Sequence, residues 1–380
     1  MHTYIIGATR SGKTNHMLSL VSGAFCFIDK HGEAAQQIAD AIPCVYWRPA
    51  DLSHIISLNP LQNVLPDDRW RRTAEMVSIF SDIWKLGPET PRLLYYLRAS
   101  VRLLLDTPQS TLLDIRRLIA DDPYRARLLR RSTDGETLQT WDEFTRKKEQ
   151  QRAMEVSSLQ NKVAALADPL PLRYVLGQPT STIEFAKVLR SQTPVVLDLS
   201  DLGDEPAALL GAIVINQIKQ CAPLVRKPYD LYIDEFQNFG TSIISTILSE
   251  SGKFGLSLTL AHQFISQLDD AIRDAVLGNC STIVSFRIGP KDAPIIAAAL
   301  DWAEQDLQDL ARGHARCRSL TNGRPTSAYL METEKTQLPI GRLAANIRNT
   351  RANYARPRTL VENLLSVRRA PRITRGWGSS

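Results

Sequence analysis

The sequence predicts an α/β protein whose mostly parallel central sheet is interrupted by an all-helical segment. Three observations carry that reading. Short apolar runs alternate with helical stretches over residues 3–47. The same alternation resumes over residues 193–286. Between them, from about Asp67 to Leu189, apolar residues recur at helical rather than strand spacing. Strand–helix alternation dictates parallel strands, because each crossover helix returns the chain to the same end of the sheet and covers one of its faces.

Taken in order, Thr3–Ile6 is a β-rich run followed by Gly7-Ala8-Thr9-Arg10-Ser11-Gly12-Lys13-Thr14 and a helix to about Leu20. Residues 24–28 read as a second buried strand ending at Asp29, residues 34–41 as helix and residues 44–47 as a third strand. The helical segment then shows Trp70, Met76, Val77, Phe80, Ile83 and Trp84 on one face, and Leu93, Leu94, Leu97, Val101, Leu104 and Leu105 on another. Pro88, Pro91, Pro108, Pro123 and Pro169 punctuate it, and Thr111 with Asp114 three residues on reads as a capping pair. The α/β pattern returns with a strand at 193–198, a helix at 207–220 and a strand at Tyr229–Ile233. A helix at 243–251 and strands at 256–260 and 282–286 complete it, and the chain after Leu320 is weakly patterned. The expected organisation is a discontinuous core of residues 1–65 and 190–335, an all-helical insertion of residues 66–189, and a basic tail of residues 336–380.

Composition narrows the class. At 380 residues, with 43% hydrophobic and 23% charged, the chain has the make-up of an ordinary globular protein and not of a disordered one. Five cysteines, Cys26, Cys44, Cys221, Cys280 and Cys317, lack any paired spacing, which argues for reduced thiols and against a zinc knuckle or redox pair. No signal peptide is evident, and no run is expected to reach the ~20 apolar residues of a membrane span. A cytoplasmic protein follows, peripheral at the inner membrane only through a partner, with no direct membrane insertion. Net charge is +6, and nine arginines between Arg342 and Arg375 face a single carboxylate, Glu362. That segment reads either as an arm for DNA phosphates or an acidic partner, or as a solvated tail.

Residues 7–14 fit G-x-x-x-x-G-K-[ST] at a strand-to-helix junction. Glycines let the backbone approach phosphates, and the loop N–H groups with the helix N-terminus supply positive charge. Gly7, Ala8, Thr9, Arg10, Ser11, Gly12, Lys13 and Thr14 are thus expected to hold the phosphates of ATP or GTP, with Lys13 at the β/γ-phosphates and Thr14 on Mg²⁺. An apolar strand ends in Asp234-Glu235, expected either as a metal-shell carboxylate with a general base for water or as a strand-end acidic pair exposed to solvent. Gln263 ends a strand one α/β unit later, placed either to sense the γ-phosphate or to serve as a buried amide. Arg287 ends the next, either as an arginine reaching a neighbouring subunit's nucleotide or as a surface ion-pair residue. The turn Asp29-Lys30-His31-Gly32-Glu33 lies at the same sheet edge, where Asp29 or His31 either touches nucleotide or merely caps the turn.

Together, residues 7–14, the 29–33 turn, Leu58-Asn59-Pro60-Leu61, Tyr232-Ile233-Asp234-Glu235-Phe236, Ile247-Leu248-Ser249-Glu250-Ser251-Gly252-Lys253-Phe254-Gly255, Leu260-Ala261-His262-Gln263 and Phe286-Arg287 resemble the HerA/FtsK superfamily in type and order. Within it the chain looks most like TraD/TraG-type conjugative coupling ATPases of type IV secretion. The resemblance covers roughly residues 3–300. It implies a RecA-like P-loop core carrying an all-helical inserted domain, and a homo-hexameric ring with DNA in its channel and ATP between subunits. It further implies phosphate and Mg²⁺ binding by Lys13 and Thr14, a Walker B pair at Asp234 and Glu235, a sensor at Gln263 and a trans-acting arginine at Arg287. The expected function is an ATP-driven DNA translocase, with a relaxase, a nuclease or a membrane secretion component as further partner. The expected chain start differs from both branches, having neither transmembrane helices nor a small β-barrel ahead of the first core strand. The competing readings are a viral-type DNA-packaging or HerA-like DNA-processing motor and, from another class, an ATP-binding switch that recruits partners.

Overall fold

The computed structural model describes residues 1–250, 252–321 and 324–369. Among them nine strands form one sheet: β1 (Thr3–Ile6), β2 (Phe25–Asp29), β3 (Val45–Trp47), β4 (Val195–Asp198), β5 (Tyr229–Ile233), β6 (Leu256–His262), β7 (Thr282–Ser285), β8 (His314–Arg318) and β9 (Tyr329–Glu332). Their order across the sheet is β9-β8-β7-β1-β6-β5-β2-β4-β3. Every neighbouring pair from β3 across to β7 is parallel. β8 and β9 extend that edge in antiparallel fashion. The expected mostly parallel α/β core is therefore present.

Side chains alternate across the central strands, as a two-residue period requires. Ile5, Phe25 and Phe27 face helices Lys13–Leu20 and Glu33–Ala41, with Met17, Ala35 and Ile38 buried between. Tyr4, Ile6, Cys26 and Ile28 belong to a second, larger cluster on the opposite face. That cluster runs without a break through helix Asp204–Val225 into the helical segment, reaching Phe80, Leu97, Trp141 and Leu159. Seven α-helices among the described residues lie between Arg69 and Leu176, as the 3.6-residue periodicity predicts. Thr111 and Asp114 form the expected capping pair: the Thr111 N–H and hydroxyl donate to Asp114 Oδ2 at 2.7 and 3.0 Å, opening helix Asp114–Ala120.

Asn59 joins the two ends of the helical segment. Its Nδ2 donates to Ser110 O and Pro179 O, both at 2.9 Å, and its Oδ1 accepts from Leu61 N. The Leu58-Asn59-Pro60-Leu61 motif thus acts as a staple in this chain, with its amide buried and fully engaged.

Three sequence expectations are corrected. Helix Asp204–Val225 is long and apolar enough, by length and composition alone, to cross a membrane, against the expectation that no run qualifies. In the fold it lies against helices Arg69–Trp84 and Phe185–Ser191, with 56% of its most apolar window buried. Second, the chain after Leu320 carries β9 and two further helices, Leu343–Tyr354 and Arg358–Arg369. Third, part of the basic segment is docked on the core. Asn346 Nδ2 donates to Ala39 O and Ile42 O at 2.7 Å each, and Arg351 pairs with Asp51 at 2.8 Å. Arg356 donates to Gln178 Oε1, and Arg358 pairs with Glu362. Arg372 and Arg375 lie outside the described residues.

Candidate nucleotide and metal site

Strand order assembles the site. β1 is central, β6 lies between it and β5, and β7 lies on its other side. The loop after β1, the amide after β6 and the acidic pair after β5 therefore meet along one carboxyl edge, where open α/β sheets bind ligands. The loop is pegged to both neighbours: Gly7 N donates to His262 O at 3.3 Å, and Ala8 N to Arg287 O at 2.8 Å.

Two glycines are required by contact. A Cβ on Gly7 would sit 2.6 Å from Phe286 Cβ and 2.7 Å from Ser11 Oγ. Gly12 has φ +125°, and its Cβ would meet Phe286 Cε1 at 3.0 Å. Thr9 and Arg10 are exposed at the loop crest, with Arg10 in the left-handed region at φ 61°. Ser11 is buried, its hydroxyl without a partner among the described residues. Lys13 is buried, and its Nζ donates to Gly7 O at 2.6 Å and Ala8 O at 3.2 Å within the same cradle. Burial pushes the Lys13 pKa down, while the carboxylates of Glu235 and Asp234 pull it back.

Asp234 and Glu235 follow β5, and both are buried. Thr14 Oγ1 lies 3.5 Å from Asp234 Oδ2. Adjacent oxygens around an octahedral Mg²⁺ with ~2.1 Å bonds stand ~3 Å apart, so the pair can share such an ion with little movement. Among the described residues no group of three or more His, Cys, Asp or Glu side chains could hold a metal. A cation here would thus take its remaining oxygens from phosphate and water. Burial, then the charges of Asp29 and Glu235, raise the Asp234 pKa to about 6.

That value fixes a pH window. A folded pKa above the unfolded ~3.9 means that folding favours the protonated carboxyl, a contribution lost as pH rises through about 6. Cation binding has the opposite sense, since it needs the carboxylate. Affinity for Mg²⁺-nucleotide is expected to weaken about tenfold per unit as pH falls below 6, and titration calorimetry across that range checks it. A flat profile would remove Asp234 from the metal shell.

Glu235 sits in the left-handed region at φ 51° and ψ 52°, a conformation costly for a residue with a Cβ. Its carboxylate is gripped on both oxygens: Gln263 Nε2 donates to Oε1, and Gln237 Nε2 to Oε2 at 2.9 Å. Thr9 Oγ1 donates to Gln263 Oε1 at 2.8 Å, so Gln263 bridges the phosphate loop and the acid. The backbone of Glu235 is braced as well. Asn238 Nδ2 donates to Glu235 O at 2.8 Å, Lys30 Nζ donates to Asn238 Oδ1 at 3.3 Å, and Lys30 pairs with Asp204.

The 29–33 turn resolves residue by residue. Asp29 is a cap: Oδ1 accepts from His31 N at 2.8 Å and Oδ2 from Ala35 N at 2.9 Å. His31 is exposed, and Lys30 is the member tied to the site. Arg287 is exposed at the end of β7, with no ion pair or side-chain hydrogen bond among the described residues. Gln237, Asn238 and Lys30 were not singled out from sequence, and neither was the 311–314 loop, where Gly313 N donates to Ser11 O at 2.9 Å. Asn15 is likewise clamped by Thr336, through Thr336 N to Asn15 Oδ1 at 2.8 Å.

Comparisons with known proteins bear on the fold that carries this site. A family model described as the TraM recognition site of TraD and TraG matches residues 228–300, a span holding Asp234, Glu235, Gln263 and Arg287. No curated protein matches by sequence. The bacterial conjugative coupling protein TrwBdeltaN70, in its unbound monoclinic form, superposes with a TM-score of 0.67 at 14% identity, covering 90% of this chain and 87% of that one. The plasmid coupling protein TrwB in complex with ADP and Mg²⁺ gives 0.63 at 13%, covering 89% and 85%. VirB4 of Thermoanaerobacter pseudethanolicus gives 0.62 at 13%, covering 88% and 89%. These matches establish the RecA-like P-loop fold, and with the family model they bear out the resemblance to TraD/TraG-type coupling proteins.

Proposed function

We propose that this chain is an ATP hydrolase that drives DNA through a ring of identical subunits, as a coupling-type ATPase of conjugation or a related type IV secretion process. The observation that carries the reading is the Glu235 carboxylate, held on both oxygens by Gln263 and Gln237 at the edge of a phosphate loop. A nucleotide switch has no use for a buried carboxylate fixed in this way, whereas a hydrolase needs one to orient and deprotonate water. TrwB structures in complex with ADP and Mg²⁺, with an ATP analogue and with a GTP analogue support a Mg²⁺-nucleotide as the ligand, of which ATP is the one proposed.

In this reading residues 7–14 bind the phosphates, with the Lys13 ammonium turning from Gly7 O to the β/γ-phosphates. Thr14 and Asp234 hold Mg²⁺, which neutralises phosphate charge when bound. Glu235 takes the proton of the attacking water, and Gln263 reports the γ-phosphate to the acid through Thr9. Arg287, exposed and unpaired among the described residues, is the arginine offered to the neighbouring subunit's nucleotide. Residues 66–189 form the inserted helical domain on a core of residues 1–65 and 190–335. A relaxase, a nuclease or a membrane secretion component is the further partner, and the protein works in the cytoplasm, at the inner membrane through such a partner.

The test is steady-state ATP hydrolysis with and without single- and double-stranded DNA, using Lys13→Ala as the blank. Strong stimulation by DNA, abolished in the blank, is expected. Nucleotide binding without DNA-dependent turnover would return the chain to the switch class. DNA affinity is also expected to fall steeply with salt, because each neutralised phosphate releases counterions, and a salt-insensitive complex would argue against a backbone-tracking motor.

A further inference from the structure

Phe264 follows Gln263 directly and is 40% exposed. Everything around it is pinned. Gln263 is held by Thr9 and Glu235, and Ile265 and Leu268 are buried. Gln267 N donates to Phe264 O at 3.1 Å, and Leu268 N to Ile265 O at 3.1 Å, closing a 3₁₀ turn. Ser266 N donates to Asp292 Oδ1 at 2.9 Å, which ties this loop to the one after β7. An aromatic ring held out by a rigid loop loses little conformational entropy on contact, so its apolar face is available at low cost.

The neighbouring loop supplies charge. Lys291 precedes Asp292, is exposed, and makes no hydrogen bond or ion pair among the described residues. The acids of these two loops keep their charge but are engaged locally: Asp292 accepts from Ser266 N, Asp269 from Ile272 N, and Asp270 and Asp274 pair with Arg273. An exposed ring on one loop and an unpaired lysine on the loop tied to it are the two kinds of group that hold single strands, with bases stacked on aromatic faces and phosphates met by lysine or arginine. A duplex hides its base faces and offers Phe264 nothing to stack on.

Resting on the reading of the chain as a DNA motor, we propose that Phe264 stacks on an unpaired base of single-stranded DNA while Lys291 meets its backbone. The residue that grips the strand is then covalently next to the residue that senses nucleotide. Rearrangement of Gln263 about Glu235 moves the ring by one peptide link, without a longer path.

The experiment measures binding of fluorescein-labelled oligo-dT, an abasic oligomer of the same length and a duplex to the full chain and to Phe264→Leu and Phe264→Trp. Phe264→Leu keeps an apolar side chain and loses the π-face. It is expected to weaken oligo-dT binding roughly ten- to hundredfold, with Phe264→Trp restoring it and the abasic oligomer bound equally by all three. Unchanged oligo-dT binding by Phe264→Leu, in a parent that binds oligo-dT, overturns the stacking role and leaves the motor reading standing. Equal weakening toward the abasic oligomer or the duplex shows that the ring acts on the loop and not on a base, and overturns it too. A parent chain that binds no DNA of any form overturns both.

Discussion

Replacing Glu235 by glutamine is expected to cut kcat by roughly a thousandfold while nucleotide affinity stays within a few-fold of the parent. The substitution is nearly isosteric, so its effect separates chemistry from folding only if the new amide can be accommodated. Gln237 provides for this, because its Oε1 is buried with no partner among the described residues. The introduced NH₂ can donate to that oxygen once the Gln237 amide turns over, and the introduced carbonyl oxygen still accepts from Gln263 Nε2. The variant should therefore fold, bind nucleotide and stall. Single-turnover hydrolysis alongside equilibrium nucleotide binding makes the comparison. A kcat within tenfold of the parent would remove Glu235 as the base.

The contrast with Gln263 is instructive. It touches the acid, and through Thr9 the phosphate loop, so in the proposed reading its removal misplaces a base that is still present. Positioning losses of this kind are smaller than loss of the base itself, and they fall on kcat more than on nucleotide affinity.

Which parts of this site the sequence made legible follows from how local their physics is. The phosphate loop was plain because its determinants lie within eight consecutive residues, and close packing on Phe286 leaves no room for a side chain at Gly7 or Gly12. The acidic pair was plain because an apolar strand ends in two carboxylates. The Gln263–Glu235–Gln237 grip was not, because it depends on β6 lying between β1 and β5, and strand order is a long-range property that no window of sequence carries. Asn59 was visible as part of a motif, but its work is a staple between Ser110 and Pro179, which are near one another only in the fold. β8 and β9 escaped notice because one carries three polar side chains in five residues and the other is largely exposed, so neither stands out from a loop. Helix Leu343–Tyr354 escaped for a different reason: the side chains it buries most deeply, Asn346 and Thr350, are polar anchors, and Leu343, Ile347 and Tyr354 beside them are only partly buried.

Arg125→Ala is expected to destabilise the helical segment by about 2–4 kcal/mol, the cost of buried carbonyls left without a donor and of the void that truncation opens. Arg125 is 1% exposed, yet nothing in a run of Leu, Arg and Ala distinguishes it from its exposed neighbours. Its NH1 donates to Leu118 O and Ile119 O at 3.1 and 3.3 Å, satisfying carbonyls at the C-terminal end of helix Asp114–Ala120, where positive charge is favoured. Its NH2 pairs with Asp122 at 2.5 Å, and the guanidinium lies 5.0 Å from the Phe144 ring and 5.7 Å from that of Trp141. Truncation leaves two carbonyls unpaired and a void beside two aromatic rings, while Asp122 keeps Arg152. Lysine cannot replace the fork geometry, so Arg125→Lys should recover only a small part of the loss. Hydrogen exchange should show lost protection across residues 114–146 with the sheet spared, since local unfolding follows packing units. Nucleotide binding at Lys13 should then persist below the new melting point. Full recovery by lysine would mean that charge and not the fork geometry matters at this position, and exchange spread evenly through β1 and β5 would mean that Arg125 holds the whole chain together and not the helical segment alone.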